Sequence, residues 1–359
     1  MRSDNGGRKQ RKAGWAPVVA ACLIFHSAFS PATGTAATLD VITFAGPALR
    51  NNPLHDPVVR RVAIFVPSPD AEQSRLPVVY FLPGYGGSSE DFIVHSNQWL
   101  AFTQRIADEI TPMLLVVPDC RTRWGGSQYL NSPAQGNYAD YVCHDVVSLV
   151  ERRYLTATNG IRRIIAGHSS GGFGALRLGM GHHPLFDGVI ALSPDSDFPV
   201  SHLPLVKLPG VTHVPLSQIQ LIEAGQTGRP KNGDLLYALG LSAAYAPKGV
   251  LYPGRFEWLY DAQGHFRPDV WQRWLANDPL TLAENDSRAF ASTQVVYLDG
   301  AARDQYSANV GAKAIYEAIR NHVRRCTFYE PPGGHGDHVP ERLARGLEWI
   351  FGRPVQNIQ

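Results

Sequence analysis

The stretch Gly167-His168-Ser169-Ser170-Gly171-Gly172 follows an apolar run at 163–166 and precedes a helix-like segment at 173–178. A strand, a tight Gly-x-Ser-x-Gly turn and a helix form the arrangement in which a serine becomes a nucleophile. Small residues in the turn let strand and helix pack closely, and the helix N-terminus directs free N–H groups at the reacting atoms. The stretch predicts Ser169 as a nucleophile. The alternative is a glycine-rich turn whose serine caps a helix.

Around this turn, apolar β-branched runs alternate with amphipathic segments. This alternation predicts βαβ units, and hence an α/β fold with a mostly parallel sheet and helices on both faces. The first two strands have no helix between them and are expected to form an antiparallel edge. The predicted strands are 39–44, 61–66, 78–82, 113–118, 163–166, 188–192, 294–298 and 327–330. The predicted helices are 90–109, 138–154, 172–181, 309–323 and 340–351.

The alternation stops at 195–288, which is rich in proline and aromatic residues and predicts an insertion after the sixth strand. No convincing core strand occurs in it, whereas 269–276 is expected to be helical. A segment of this length inside a compact domain is typical of a lid or a binding wall. Trp271 and Trp274 in the insertion, and Trp124 after the fourth strand, are the candidate substrate-binding residues. Core packing is the alternative for all three.

A serine nucleophile needs a base, and the base needs an orienting acid. Both follow Ser169 in the expected chain order, at the ends of the last two strands. Asp304 is the predicted acid, with Asp299 as the alternative. His335, which follows two glycines, is the predicted base, with His338 as the alternative. These residues offer no metal-ligand pattern, so we expect neither a metal nor a cofactor.

The developing oxyanion needs hydrogen-bond donors. One predicted donor is the backbone N–H of Ser170. The other is the backbone N–H of Tyr85, in a glycine-rich loop at 82–91 that directly precedes a helix, as an oxyanion loop requires. A phosphate-binding loop is disfavoured because no Lys-Ser/Thr pair follows the glycines.

With these elements in place, the chain resembles the esterase D-like branch of the α/β-hydrolases, which includes feruloyl and acetylxylan esterases, S-formylglutathione hydrolases, enterochelin esterases and mycolyltransferases. The resemblance spans roughly 40–352. The stretches that carry it are PVVYFLPGYGG (77–87), NYADY (137–141), GHSSGGFGAL (167–176) and GGH (333–335). It implies an α/β-hydrolase fold, a Ser169–His335–Asp304 triad, and Tyr85 and Ser170 as oxyanion donors. Pro83 departs from the His or Asp that many relatives carry before the glycine.

The N-terminus predicts a signal peptide at 1–37, with a basic start and a short apolar run, followed by one domain at 38–359. A secreted or periplasmic protein without a stable membrane anchor is expected. Lipidation at Cys22 is the alternative, disfavoured because the apolar run continues past it. Residues 1–36 carry five basic residues and one acidic residue. The remainder, with 28 basic and 30 acidic residues, has a net charge of −2 and gives no basis for a nucleic-acid partner.

An exported protein permits disulfides. Cleavage would leave Cys120, Cys143 and Cys326, enough for one disulfide and one thiol. The spacing does not fix the pairing, and Cys120 with Cys143 is the pair to test first.

The sequence therefore favours an exported serine carboxylesterase that acts on an ester of a small molecule or a glycan, such as an acyl or feruloyl ester. An acyltransferase of the mycolyltransferase type is the alternative, since an alcohol can replace water at the same site. A non-catalytic binding protein is the third hypothesis, and the intact triad argues against it.

Overall fold

The computed structural model describes residues 36–68, 75–180 and 185–352. The predicted signal peptide and Cys22 lie outside these residues, apart from Ala36 and Ala37 at its end. Within them, eight strands form one sheet in the order β1-β2-β4-β3-β5-β6-β7-β8. The strands are β1 (Thr38–Ala45), β2 (Val59–Val66), β3 (Val78–Leu82), β4 (Leu114–Pro118), β5 (Arg163–His168), β6 (Gly188–Leu192), β7 (Val295–Asp299) and β8 (Arg325–Tyr329).

The sheet is parallel from β4 to β8, and the predicted antiparallel edge is confirmed. β2 runs antiparallel to β1 and to β4, whereas the other neighbouring pairs are parallel. The central strands are continuous apolar runs buried on both faces, as parallel strands between two helical layers should be.

Helices cover both faces of this sheet, as predicted. Alternate residues of β2 enter different cores: Val62 and Ile64 face one, Ala63 and Phe65 the other. The helices are α1 (Ser89–Val94), α2 (Ser96–Glu109), α3 (Tyr138–Asp140), α4 (Val147–Arg153), α5 (Ser170–Gly179), α6 (Phe198–Ser201), α7 (Leu203–Val206), α8 (Pro209–Thr212), α9 (Leu216–Glu223), α10 (Gly233–Tyr245), α11 (Pro268–Leu275), α12 (Pro279–Asn285), α13 (Ala308–Ile319) and α14 (Val339–Phe351). A π-helical stretch, Tyr141–Val146, joins α3 to α4.

The prediction of a single helix at 90–109 is wrong. The segment 90–109 forms two helices, α1 and α2, because the backbone leaves helical geometry at His95 (φ −101°, ψ 31°). The predicted helix 309–323 ends early, at Ile319. The other predicted elements have ends within two residues of the observed ones.

The insertion after β6, the sixth strand of the sheet, consists of helices α6 to α12 and connecting loops, with only isolated β-bridges among its described residues. It supplies most of a third core, which is rich in aromatic residues, is separate from the two cores on the sheet and also includes Trp124 and Phe173. The helix expected at 269–276 is observed as α11.

Candidate active site

Ser169 occupies the turn between β5 and α5. Its backbone has φ 59° and ψ −123°, a conformation that non-glycine residues rarely adopt and that is concentrated at functional sites. Its N–H donates to Leu192 O at 3.0 Å, which ties the turn to β6. The helix-cap alternative is not supported, since the Ser169 side chain makes no capping hydrogen bond.

Two glycines make this turn sterically feasible. A Cβ on Gly171 would lie 1.8 Å from Leu82 O, and a Cβ on Gly167 would lie 2.2 Å from Gly171 O. Both distances are far inside van der Waals contact, so only glycine lets β3, β5 and α5 approach this closely. This is the physical reason for the Gly-x-Ser-x-Gly pattern.

The loops after β7 and β8 bring Asp304 and His335 together. Asp304 Oδ2 lies 2.7 Å from His335 Nδ1, and the Asp304 side chain is fully shielded from solvent. Burial alone would raise the pKa of Asp304, but the hydrogen bond and charge of His335 outweigh it and hold that pKa below 3.8. An ionised acid that fixes the tautomer of its histidine is the arrangement a general base requires.

The alternative acid, Asp299, has another partner. It forms a buried ion pair with Arg342, whose Nε and Nη2 donate to the carboxylate at 2.9 and 2.6 Å. Arg342 Nη1 also donates to His335 O at 3.0 Å. Asp299 therefore helps to position the His335 loop through Arg342. The alternative base, His338, lies at the N-terminus of α14, as its alternative role predicted.

Ser169 and His335, the predicted nucleophile and base, are not hydrogen-bonded to each other in this conformation. Ser169 Oγ donates to Asp195 Oδ1 at 3.3 Å, while His335 Nε2 is buried without a hydrogen-bond partner. The sequence analysis missed Asp195. Its position three residues past β6 could have revealed it, because the carboxyl ends of parallel strands converge on one edge of a sheet.

The predicted oxyanion loop lies against Ser169. A Cβ on Gly84 would be 3.4 Å from Ser169 Cβ. The next residue, Tyr85, is anchored by its hydroxyl, which lies 2.5 Å from Trp124 O and 3.0 Å from Leu236 O. Its ring fits only because three neighbours lack side chains, and a Cβ on any of them would clash with it: Gly125, Gly126 and Gly240. Tyr85 thereby fixes the loop to α10 of the insertion.

The three predicted substrate-binding tryptophans are buried, so the structure favours the packing alternative. Trp274 is 0% and Trp271 8% exposed, and their rings lie 5.8 Å apart in the core of the insertion. Trp124 is 1% exposed. It contributes to the site through its carbonyl oxygen, which holds Tyr85, and not through its ring.

The suggested disulfide between Cys120 and Cys143 is absent, because Cys120, Cys143 and Cys326 are all free thiols in the structure. Burial raises the pKa of Cys143 and of Cys326 to about 12, so neither thiol forms a thiolate at neutral pH.

In the part of the chain that the structure describes, no group of three or more His, Cys, Asp or Glu residues could hold a metal ion. None of the helices in that same part is long and apolar enough to cross a bilayer.

With this geometry established, comparison with known proteins places the chain in a family. The family model "Esterase", described as "Putative esterase", matches residues 58–340, and the chain belongs to this family. The protein is therefore a carboxylic ester hydrolase. The match covers β3, the Ser169 turn, the insertion and the His335 loop.

Solved structures with the same fold include three hydrolases. A ferulic acid esterase has a TM-score of 0.56 at 17% identity and covers 89% of this chain and 98% of its own. A substrate-bound, fluorophosphonate-binding serine hydrolase of Staphylococcus aureus has a TM-score of 0.57 at 12% identity. The match covers 89% of this chain and 100% of that hydrolase. An S-formylglutathione hydrolase of Agrobacterium tumefaciens has a TM-score of 0.55 at 17% identity. The match covers 90% of this chain and 99% of that hydrolase. At these identities the likeness shows the fold, which is that of an α/β-hydrolase.

Proposed function

We propose that the protein is an exported serine carboxylesterase that works through a covalent acyl-enzyme. Ser169 is the nucleophile, His335 the general base and Asp304 the acid that orients it. The observation that carries this proposal is the buried Asp304–His335 pair together with the strained turn at Ser169. Asp304 binds His335 at Nδ1, and the buried Nε2 of His335 has no hydrogen-bond partner, which leaves it to accept from the Ser169 hydroxyl.

The chemistry begins when the Ser169 hydroxyl leaves Asp195 and donates to His335 Nε2. Oγ then bonds to the ester carbonyl carbon as its proton passes to Nε2. The carbon–oxygen bond to the alcohol breaks, and the alcohol leaves with that proton. Water, deprotonated by His335, releases the acid and restores Ser169.

The carbonyl oxygen becomes an oxyanion in both steps. The backbone N–H groups of Tyr85 and Ser170 are the proposed donors. The Ser170 N–H belongs to the first turn of α5, where N–H groups have no helical acceptor. The anchored side chain of Tyr85 would hold its own N–H in place without reorganisation during the reaction.

Export rests on the leader at 1–37, and it favours an extracellular ester over a cytosolic thioester. We propose an acyl ester of a small molecule or a glycan as the substrate, with feruloyl esters as one class to assay. The ferulic acid esterase among the structural neighbours supports their inclusion.

The test is hydrolysis of p-nitrophenyl acetate by purified Ser169→Ala. We expect turnover to fall to the background rate, while the far-UV spectrum and the melting temperature stay those of the parent protein. Ser201→Ala is the matched control, because Ser201 is a buried serine of the insertion whose hydroxyl bonds to Ser196 O. Retained turnover in folded Ser169→Ala would overturn the proposal.

The same acyl-enzyme could pass its acyl group to an alcohol. Product analysis with and without added sugar or alcohol acceptors distinguishes the two outcomes. Free acid as the sole product supports the esterase, and a new ester formed at the expense of free acid supports the transferase.

A further inference from the structure

Asp195 is a buried carboxylate that contacts the nucleophile. It is 7% exposed, and its two oxygens accept from Ser169 Oγ at 3.3 Å and from Ser170 Oγ at 2.6 Å. It is not the acid of the triad, because Asp304 already holds His335. The catalytic steps described above give Asp195 no role, although a buried carboxylate is costly to maintain.

The two oxygens of Asp195 have different surroundings. Oδ2 accepts from Ser170 Oγ, from Tyr237 OH at 3.3 Å and from Gln128 Nε2 at 3.4 Å. These donors come from α5, from α10 and from the loop after β4, so the carboxylate is fixed from three directions. Among the described contacts, Oδ1 accepts from Ser169 alone.

Acylation removes that one donor from Oδ1. The Ser169 hydroxyl must turn to His335 Nε2 before it can attack. A buried acceptor that loses its only donor costs free energy unless another donor replaces it. The group that can do so is part of the bound substrate, because Oδ1 lies 3.3 Å from the atom that the substrate acylates.

Asp195 and His335 contact different neighbours of Ser169 in the chain, Ser170 and His168. The leaving alcohol must lie at His335 Nε2, from which it takes its proton. The residues that flank Ser169 separate the two sides, since His168 Nε2 lies 2.8 Å from His335 O whereas Ser170 contacts Asp195. The substrate group nearest Oδ1 therefore belongs to the acyl chain.

We propose that Asp195 is a specificity-determining residue that selects acyl groups with a hydrogen-bond donor, a hydroxyl or an ammonium, on the second or third carbon. The inference rests on the proposed function. A donor atom two or three bonds from the carbonyl carbon can reach Oδ1 while Ser169 Oγ is bonded to that carbon. Esters of 2- or 3-hydroxy acids and of 2- or 3-amino acids fit this description. Feruloyl esters do not, because their hydroxyl lies across the ring from the acyl chain.

The experiment compares kcat/KM for methyl butanoate with the values for its 2-hydroxy, 3-hydroxy, 2-amino and 3-amino derivatives, using the wild-type protein. We expect at least one donor-bearing ester to exceed methyl butanoate by about 10- to 100-fold, the effect of leaving a buried acceptor unpaired. The ester with the highest value identifies the donor as hydroxyl or ammonium and gives its position. Equal values for all five esters would overturn the inference.

Two variants test the residue. Asp195→Ala removes the acceptor, and Asp195→Asn keeps its volume but removes its charge. We expect Asp195→Ala to reduce the preference for the donor-bearing ester to within about threefold, whereas Asp195→Asn, which keeps an acceptor oxygen, should do so only for an ammonium-bearing ester. Asp197→Asn is the matched control: it alters a nearby carboxylate, while Asn tolerates the φ of 50° at that position. It should keep the wild-type preference. An unchanged preference in folded Asp195→Ala would contradict the proposal.

Failure of this inference can be told from failure of the proposed function. If all five esters are hydrolysed at equal kcat/KM and Ser169→Ala is inactive, only the role of Asp195 is wrong. If no ester is hydrolysed and Ser169 does not react with a fluorophosphonate, the proposed function is wrong as well.

Discussion

The turn at Ser169 and the insertion at 195–288 are packed in different ways. In the turn, backbone atoms pack directly against backbone atoms. A Cβ on Gly171 would lie 1.8 Å from Leu82 O, so only glycine fits at this position. In the insertion, aromatic side chains fill the core, and the ring centroids of Tyr245 and Trp274 lie 5.4 Å apart. A Cβ on Gly228 would meet no atom within 4 Å. A core packed from side chains requires residues of suitable volume and apolar character, but it accepts several residue types at one position. The sequence of the turn therefore reveals its geometry, whereas the sequence of the insertion reveals little beyond its helices.

The largest expected effect is that of a methyl group in the turn. Gly171→Ala should lower the free energy of unfolding by more than about 4 kcal/mol, or prevent folding, because backbone atoms must move to admit the Cβ. Gly228→Ala in the insertion should change it by less than about 0.5 kcal/mol. Urea denaturation measures both. Similar values for the two variants would remove the basis of the comparison.

The next effect separates the two aspartates after β7. Asp304→Asn should lower kcat by about 10³- to 10⁴-fold with little change in melting temperature, because the amide neither fixes the tautomer of His335 nor stabilises its cation. Asp299→Asn leaves Arg342 buried without its charge partner. It should lower the free energy of unfolding by about 3–5 kcal/mol and leave kcat within about tenfold.

Steady-state kinetics and thermal melts on the same preparations test this pair. The assignment is wrong if Asp299→Asn abolishes turnover at an unchanged melting temperature while Asp304→Asn stays active.

In the insertion, Trp274→Ala should cost about 3–5 kcal/mol of unfolding free energy, since the ring is fully buried. KM for a short acyl ester should change by less than about threefold, because the ring packs in the core of the insertion. Val250→Ala, at a residue that is 81% exposed, is the control and should leave stability within about 0.5 kcal/mol. A large rise in KM without loss of stability would restore Trp274 as a binding residue.

The smallest expected effect is on pH dependence and involves one histidine from each region. Burial lowers the pKa of His168 and of His202 below 6.5, with the charges of His335 and Arg342 adding to the effect at His168. The unfolded chain then binds a proton that the folded protein does not. Each histidine therefore contributes stability that is fully present above pH 6.5 and is lost as pH falls below it, by at most about 1.4 kcal/mol per pH unit.

His168→Gln and His202→Gln should each flatten the decline in stability between pH 6.5 and pH 5.5, measured by urea midpoints. Only His168→Gln should also lower ester turnover, since His168 Nε2 contacts the backbone of His335. Equal loss of turnover in the two variants would contradict the separate roles of turn and insertion.

Much of the fold and the acid–base pair could be predicted from the sequence. Ser169, Asp304 and His335 each follow a strand of a parallel sheet, and the ends of such strands converge. The glycines at 167 and 171 signal a close backbone approach. The triad roles and the oxyanion donors stay predictions, because each is defined by its interaction with a reacting ester.

Other features depend on tertiary contacts that sequence patterns do not encode. The aromatic residues of the insertion look alike in sequence whether they line a pocket or a core, so the sequence alone does not separate packing from binding for Trp271 and Trp274, and their burial favours packing. In the sequence, Asp195 looks like any polar residue at the start of a loop. Only the fold brings its four hydrogen-bond donors together around the carboxylate. The break at His95 leaves the amphipathic pattern of 90–109 intact, and Cys120 and Cys143 remain free thiols.

The most direct measurement is the site of covalent reaction with a fluorophosphonate, followed by intact mass and peptide mapping of the purified protein. We predict a single adduct on Ser169. It should be absent in Ser169→Ala and should form much more slowly in Asp304→Asn, because the base must be oriented before the hydroxyl can attack. An adduct on another residue, or undiminished labelling of Ser169→Ala, would contradict the assignment of Ser169 as the nucleophile.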